Sequence, residues 1–278
     1  MTDDATKQQW ISAAQGWTRW AEKATVHLEP ATDTMLDLAG VSSGQRVLDV
    51  GCGSGEQTVI AARRVGETGH VLAFDIAAPM TAACEAKVLA AGLHNVSTCV
   101  SSAEMLDAGA GPFDAAISRL VLMLVPDPVS TARAVLALLR PGAAFSALVF
   151  ADASRNPFEA VPLSILARHG GKTLSADKPG IFALADPARL VAVLEQAGFV
   201  DVSLTTIATV HSMDSAAEAT TMIREAYAFL VAQVADLSQA AKDAAWTDVQ
   251  SALSRYEGPD GLKAPGEMLL VVGRKPGH

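Results

Sequence analysis

The sequence predicts an α/β fold: a doubly wound, mainly parallel sheet with an antiparallel last strand and helical insertions. Three observations predict it. From Arg46 onward, short apolar runs alternate with helical stretches, the pattern of crossover units that build a parallel sheet. One such run, Val47-Leu48-Asp49-Val50, passes straight into Gly51-Cys52-Gly53-Ser54-Gly55 and then into a helix. With 278 residues, of which 50% are hydrophobic and 18% charged, the chain has the length and composition to bury a sizeable core.

The elements follow in order. Trp10, Ala14, Trp17, Ala21 and Ala24 recur at spacings of three and four, which predicts an amino-terminal helix, and a second short helix follows Pro30 and stops at Gly40. Strands are expected at Arg46–Val50, His70–Asp75, Asn95–Val100, Phe113–Val121 and Ala144–Phe150, with helices from Gln57, over Pro79–Ala91 and over Pro128–Leu139. Ser154–Ile181 breaks the rhythm with Pro157, Pro162, Gly170, Gly171, Pro179 and Gly180 and reads as an insertion around a short apolar helix. A helix at Asp186–Gln196 then leads to a strand at Val202–His211. A long helical stretch carries Ile223, Tyr227, Leu230, Val231 and Val234, a second helix ends near Tyr256, and Pro265-Gly266 opens a last strand at Glu267–Gly273.

Charge and cysteine usage exclude several classes. The 21 Lys and Arg against 30 Asp and Glu give a net charge of -9 without any basic run, which argues against a nucleic-acid partner. Three cysteines, Cys52, Cys84 and Cys99, lack the pairing of a disulfide framework and the spacing of a zinc site. The polar, acidic start and the absence of an apolar run of about 18 residues lead us to expect a cytoplasmic protein with no membrane span, and the absence of H-x-x-H, C-x-x-C and D-x-D patterns near the loops leads us to expect no metal. An oligomer is compatible with the sequence.

The glycine-rich turn carries the chemistry. Glycine serves where the backbone must take positive φ or let a ligand approach closely, and the following helix start offers free N–H groups. A dinucleotide fingerprint would need a third glycine where Glu56 stands, and that carboxylate would repel a pyrophosphate.

On these residues the chain resembles the class I S-adenosylmethionine-dependent methyltransferases, from about Trp10 to the carboxyl terminus. The resemblance implies a Rossmann-like sheet of seven strands and assigns Asp49, Gly51, Cys52, Gly53 and Gly55 to the loop under the methionine part of the cofactor. At the end of Val71-Leu72-Ala73-Phe74-Asp75 it implies that Asp75, with Ile76 beside it, accepts hydrogen bonds from the ribose hydroxyls. In Val100-Ser101-Ser102-Ala103-Glu104, Ser102 stands where the family usually has an Asp facing the adenine, so Ser102, Ala103 and Glu104 are the expected adenine contacts. Phe113–Leu120 matches the strand facing the transferred methyl and puts Ser118 and Arg119 nearest the reaction. The segments Leu122–Pro128 and Leu139-Arg140-Pro141-Gly142 are similar to the ubiquinone and menaquinone biosynthesis and natural-product branch, with Ala143 where a second glycine is common.

The expected organisation is one domain, 1–278: a helical lid (1–40), a cofactor core (41–151), an insertion (152–182) and a carboxyl-terminal part (183–278) with a helical insertion at 214–257. The expected reaction moves a methyl group from S-adenosylmethionine to carbon, oxygen or nitrogen of a small, fairly apolar acceptor. Candidate acceptor contacts are Trp17, Trp20, Met123, Phe158 and His169. A general base is optional, with His27, His169 and His211 as candidates. A nucleotide-dependent oxidoreductase and a non-catalytic cofactor-binding module are the alternatives.

Overall fold

The computed structural model describes residues 3–174 and 178–277. Residues 1 and 2 of the amino-terminal segment, residues 175–177 of the expected insertion and residue 278 lie outside the described residues. Helix α1 (Asp3–Thr25) leads through a 3₁₀ turn at Val26–Leu28 into α2 (Glu29–Leu38), with Pro30 in the first turn, where no intrahelical N–H is needed. The crossover units are β1 (Arg46–Val50), α3 (Glu56–Val65), β2 (His70–Asp75), α4 (Ala78–Ala90), β3 (Val96–Val100), β4 (Phe113–Arg119), α5 (Pro128–Leu138) and β5 (Leu139–Phe150). Then come α6 (Pro157–His169), α7 (Pro187–Ala197), β6 (Val200–Met213), α8 (Ala216–Ala226), α9 (Ala228–Val231), α10 (Gln239–Leu253), β7 (Glu257–Gly258) and β8 (Gly261–Arg274). Asp127-Pro128 and Asp186-Pro187 start α5 and α7 by the same device: each aspartate side chain accepts a first-turn N–H, from Ser130 and Ala188, while proline takes the first helical position.

The sheet order is β3-β2-β1-β4-β5-β8-β6, and the two-residue β7 adds an eighth strand as a hairpin partner of β8. β1 to β5 are parallel, and β8 runs antiparallel to both β5 and β6. β6 is therefore parallel to the central strands, and its carboxyl end at Met213 lies on the same side as Val50, Asp75 and Arg119. The main apolar core lies between the central strands and their helices. A second one gathers Phe158, Leu166, Met222, Ile223, Trp246 and Leu253 from α6, α8 and α10 around Met213 and Leu262, at the far ends of β6 and β8. Among the described residues no helix is long and apolar enough to cross a membrane.

Two expectations need correction. The long helix across Ile223–Val234 breaks at Tyr227 (φ -93, ψ 77), although its apolar period continues because Ile223, Leu230 and Val234 all face the second core. The last strand starts at Gly261 and runs through Pro265-Gly266 instead of beginning after it. Pro265 lies beyond the final β5 pairing, Phe150 with Met268, where β8 keeps β6 as a neighbour on one side and tolerates a missing N–H on the other.

Candidate functional site

A cavity of about 670 Å³ opens at the carboxyl ends of β1, β2 and β4, where the strand order turns outward in both directions. Open α/β sheets bind ligands at that crevice, and the volume falls among those of small-molecule sites.

The glycine loop divides its labour. Gly51 (φ +71) is needed because a Cβ there would lie 2.5 Å from Val121 Cγ2, whereas a Cβ on Gly53 (φ +54) would meet only Trp17 Nε1, at 3.7 Å. Gly53 thus faces open cavity. Gly55 (φ +94) faces the other way, since its Cβ would lie 2.9 Å from Cys84 Sγ on α4, and it does not border the cavity. Nor does Asp49: its carboxylate accepts from Thr58 Oγ1 at 2.6 Å and Gln57 Nε2 at 3.3 Å and ties β1 to the first turn of α3. Burial pushes the Asp49 carboxyl up to about 6, although Thr58 and Gln57 pull it back down. Of the expected loop contacts, Gly51, Cys52 and Gly53 border the cavity. The Cys52 thiol is pushed up by its neighbour Cys84 and by burial, and stays protonated.

Asp75 ends β2 at the cavity wall. Its Oδ2 accepts the Gly53 N–H at 3.1 Å and its Oδ1 the Ala77 N–H at 2.9 Å, so each oxygen retains acceptor capacity for a ligand hydroxyl. Burial raises its pKa, and the N–H groups of Ala77, Gly53 and Ile76 oppose that rise. Ile76, Ser102, Ala103 and Glu104 border the same cavity, and Glu104 accepts the Thr131 hydroxyl at 2.5 Å.

Ser118 and Arg119 are adjacent on β4 and so point to opposite faces. Ser118 donates to the Val50 carbonyl at 3.3 Å and does not reach the cavity, which corrects its expected place. Arg119 does reach it. It is 7% exposed, donates to Thr32 Oγ1 at 3.1 Å and borders the cavity. Burial lowers its pKa, while Glu56, Asp49 and Glu29 favour the charged form. Leu120 follows at φ +60, a left-handed non-glycine conformation that turns the chain so that Leu120, Val121, Leu124 and Val125 form an apolar wall.

Of the expected acceptor contacts, Trp17 alone borders the cavity, joined there by Trp10 in an edge-to-face pair at 6.2 Å. Trp20 turns toward α8 and donates to Glu225 Oε2 at 2.7 Å. Met123 is buried beneath the wall, and its carbonyl accepts from Gly180 N. Phe158 belongs to the second core, and His169 lies on the α6–α10 surface with Nε2 2.8 Å from Asp248 Oδ2. Thr25, Leu28, Gln57, Met80 and Thr131 border the cavity without having carried a sequence signal, except that Thr25 and Leu28 follow the tryptophan helix.

The lining suits a sulfonium donor. Gly53 leaves room for a ligand against the backbone, and Asp75, Glu104 and Asp127, with Glu56 paired to Lys87 at 2.5 Å, set carboxylates around the cavity against Arg119, the one basic side chain among its described lining residues. A compact cation is favoured in that field and a pyrophosphate is not.

Known proteins resemble the chain in sequence and in fold. A family model described as a methyltransferase domain matches residues 41–166. The ubiquinone/menaquinone biosynthesis C-methyltransferase UbiE of Pseudomonas aeruginosa is 33% identical over 176 residues, 59% of this chain and 68% of the relative. The nocamycin O-methyltransferase of Saccharothrix syringae is 38% identical over 112 residues, 40% of each chain. In fold, the phosphoethanolamine N-methyltransferase 2 of Haemonchus contortus, solved with phosphomonomethylethanolamine and S-adenosylhomocysteine, matches at TM-score 0.55 and 19% identity, over 89% of this chain and 53% of that one. The glycine turn, the β2-terminal aspartate, the cavity at the strand switch and these relatives place the chain in one family: it belongs to the class I S-adenosylmethionine-dependent methyltransferases.

Proposed function

We propose that this methyltransferase moves the methyl group to carbon, oxygen or nitrogen of a small, fairly apolar acceptor by in-line displacement. When bound, S-adenosylmethionine supplies a methyl carbon activated by its sulfonium. In this reading Gly51, Cys52 and Gly53 cradle the methionine part, Asp75 accepts from the ribose hydroxyls, and Ile76, Ser102, Ala103 and Glu104 flank the adenine. Arg119 holds an anionic oxygen, either the donor's carboxylate or one on the acceptor.

One observation carries the acceptor class. The cavity continues past the glycine loop into a wall of Trp10, Trp17, Leu120, Val121, Leu124 and Val125, which favours an apolar body, with Arg119 as its polar anchor. Such a wall excludes water and fixes approach, and alignment alone supplies much of the rate in a displacement of this kind. The relatives carry C-, O- and N-methyltransferase names, so the acceptor atom is read from the reaction itself. Incubating the protein with extract of its own cells and a deuterated methyl donor, followed by mass spectrometry, tests the reading: a small apolar metabolite should gain the label. Labelling confined to macromolecules would refute it.

A further inference from the structure

Arg119 is a buried cation without a counter-ion. Among the described residues its side chain makes one hydrogen bond, from Nη1 to Thr32 Oγ1 at 3.1 Å, and no ion pair. Glu56, Asp49 and Glu29 favour its charge only from a distance. A guanidinium keeps its proton at any working pH, and at 7% exposure that charge is costly unless something pairs with it. Nε and Nη2 have no partner among the described residues and are not sealed, and Arg119 borders the cavity, so the donors left over open onto it.

The side chain is fixed in place before any ligand arrives. Thr32, fully buried on α2, donates to the Leu28 carbonyl at 2.8 Å, which leaves its oxygen free to accept from Arg119. Arg119 stands two residues beyond the pairing of Asp49 with Ile117, level with Gly51, and Leu120, Val121, Leu124 and Val125 follow it as the apolar wall. The guanidinium thus belongs to both halves of the cavity. The donor half has a polar partner of its own: Trp17 Nε1 lies 3.7 Å from where a Cβ on Gly53 would stand, and among the described residues its N–H is neither bonded nor sealed. An indole N–H only donates, which suits a carboxylate oxygen of a methionine part lying against Gly53.

We propose that the methyl acceptor is an apolar acid whose carboxylate is held by Arg119, while Trp17 Nε1 serves the carboxylate of the donor. The proposal deepens the methyltransferase reading above and rests on it. A guanidinium fork matches a planar carboxylate with two parallel hydrogen bonds, and Nε with Nη2 is a free edge of that fork. A phosphate dianion would fit the fork as well, but Asp75, Glu104 and Asp127 around the cavity oppose a second negative charge. A single carboxylate on an apolar body satisfies both the cation and the wall. Neutral analogues leave the guanidinium unpaired in a buried site, so Arg119 selects against them.

The test asks which ligand carries the anion that Arg119 holds. Extract of the protein's own cells is split on an anion exchanger at neutral pH, and each fraction is given to the full chain with the deuterated donor. The label should enter a metabolite of the retained fraction, and treating that fraction with carbodiimide and methylamine, which turns carboxylates into amides, should abolish the labelling. An acceptor in the unretained fraction, or one that survives amidation, overturns the proposal. With the retained fraction limiting, product formation should fall at least about tenfold in Arg119→Gln and return toward wild type as the fraction is concentrated; an equal loss at every concentration overturns it. Calorimetry assigns the donor's partner: S-adenosylhomocysteine should bind Arg119→Gln within about threefold of wild type and Trp17→Phe about tenfold more weakly. A large loss in Arg119→Gln that is absent with 5′-methylthioadenosine, which has no carboxylate, gives Arg119 to the donor and overturns the proposal. Arg119→Lys, which keeps the charge but not the fork, decides the same comparisons if Arg119→Gln does not fold. Failure of the wild-type chain to bind S-adenosylhomocysteine removes the donor-site reading together with the proposal, whereas failure of the acceptor experiments alone removes only the proposal.

Discussion

Two aspartates at neighbouring strand ends share a chemistry but not a task. Asp75 borders the cavity and also holds the Gly53 N–H, so its carboxylate both supports the loop and offers acceptor capacity to a ligand. Asp75→Ala is expected to weaken S-adenosylmethionine binding by about 1.5–3 kcal/mol, the scale of hydrogen bonds to a charged group. A calorimetric loss of only a few tenths would make it merely a support for the turn at Ala77. Asp49 is enclosed, and its carboxyl, ordinarily at 3.8, is pushed up to about 6. The native state therefore binds that proton more tightly than the unfolded chain does, and the stability this confers is complete below the unfolded value and lost as pH rises through about 6. Between pH 4 and pH 7 the wild type should lose on the order of 1–3 kcal/mol of unfolding free energy relative to Asp49→Asn, whose amide oxygen can still accept from Thr58. Urea unfolding at both pH values checks this; parallel changes in the two proteins would mean that Asp49 ionises without cost.

At the scale of elements, the glycine turn separates binding from folding. A side chain at Gly53 enters open cavity, whereas one at Gly55 enters α4 at Cys84. Gly53→Val should stay folded, with a cost of about 1–2 kcal/mol for its positive φ, and lose donor binding. Gly55→Val should lower the melting temperature markedly before binding is at issue, and if the two variants behave alike in circular dichroism and calorimetry, the loop has been assigned to the wrong faces. The same turn shows what was legible beforehand. Its three glycines, Asp75 and the alternating strands are local signals, and of these residues Gly51, Gly53 and Asp75 border the cavity. The motif groups Gly55 and Asp49 with the contacts because it records spacing, not the face each residue presents. Ser118 fell on the wrong side of β4 for the same reason, although the twofold period of a strand would have separated it from Arg119. Trp20, Met123, Phe158, Thr25 and Leu28 were beyond reach, because their positions depend on how α1, α6 and the turn after β4 pack on distant elements. Trp20 follows Trp17 by three residues, yet Glu225 draws it to α8 while Trp17 stays at the cavity.

Across the whole molecule, α1 straps the second core to the start of α4. The main core includes no residue before Leu28, while the second core takes Ala24 and packs Trp20 against it. On its other side α1 sets Ala14, Trp10 and Trp17 against Ala77 and Met80 at the start of α4. Its crossing with α8 is so close that a Cβ on Gly16 would lie 1.9 Å from the Glu225 carbonyl oxygen, so the helix is held by backbone contact as well as by tryptophans. Such a strap closes the cavity by contributing two walls, Trp10 and Trp17, and it places none of its residues in the main core. Deleting residues 1–24 should therefore preserve the sheet and a weakened donor affinity, loosen the helices around Met222 and Ile223, and lower methyl transfer at least about tenfold, or ~1.4 kcal/mol of transition-state stabilisation. Circular dichroism, limited proteolysis and calorimetry on the truncated chain, with turnover on the labelled acceptor, test each part. Full activity would show that the cavity closes without α1, and an insoluble product would show that the second core, though separate in its contacts, is required for the first to fold.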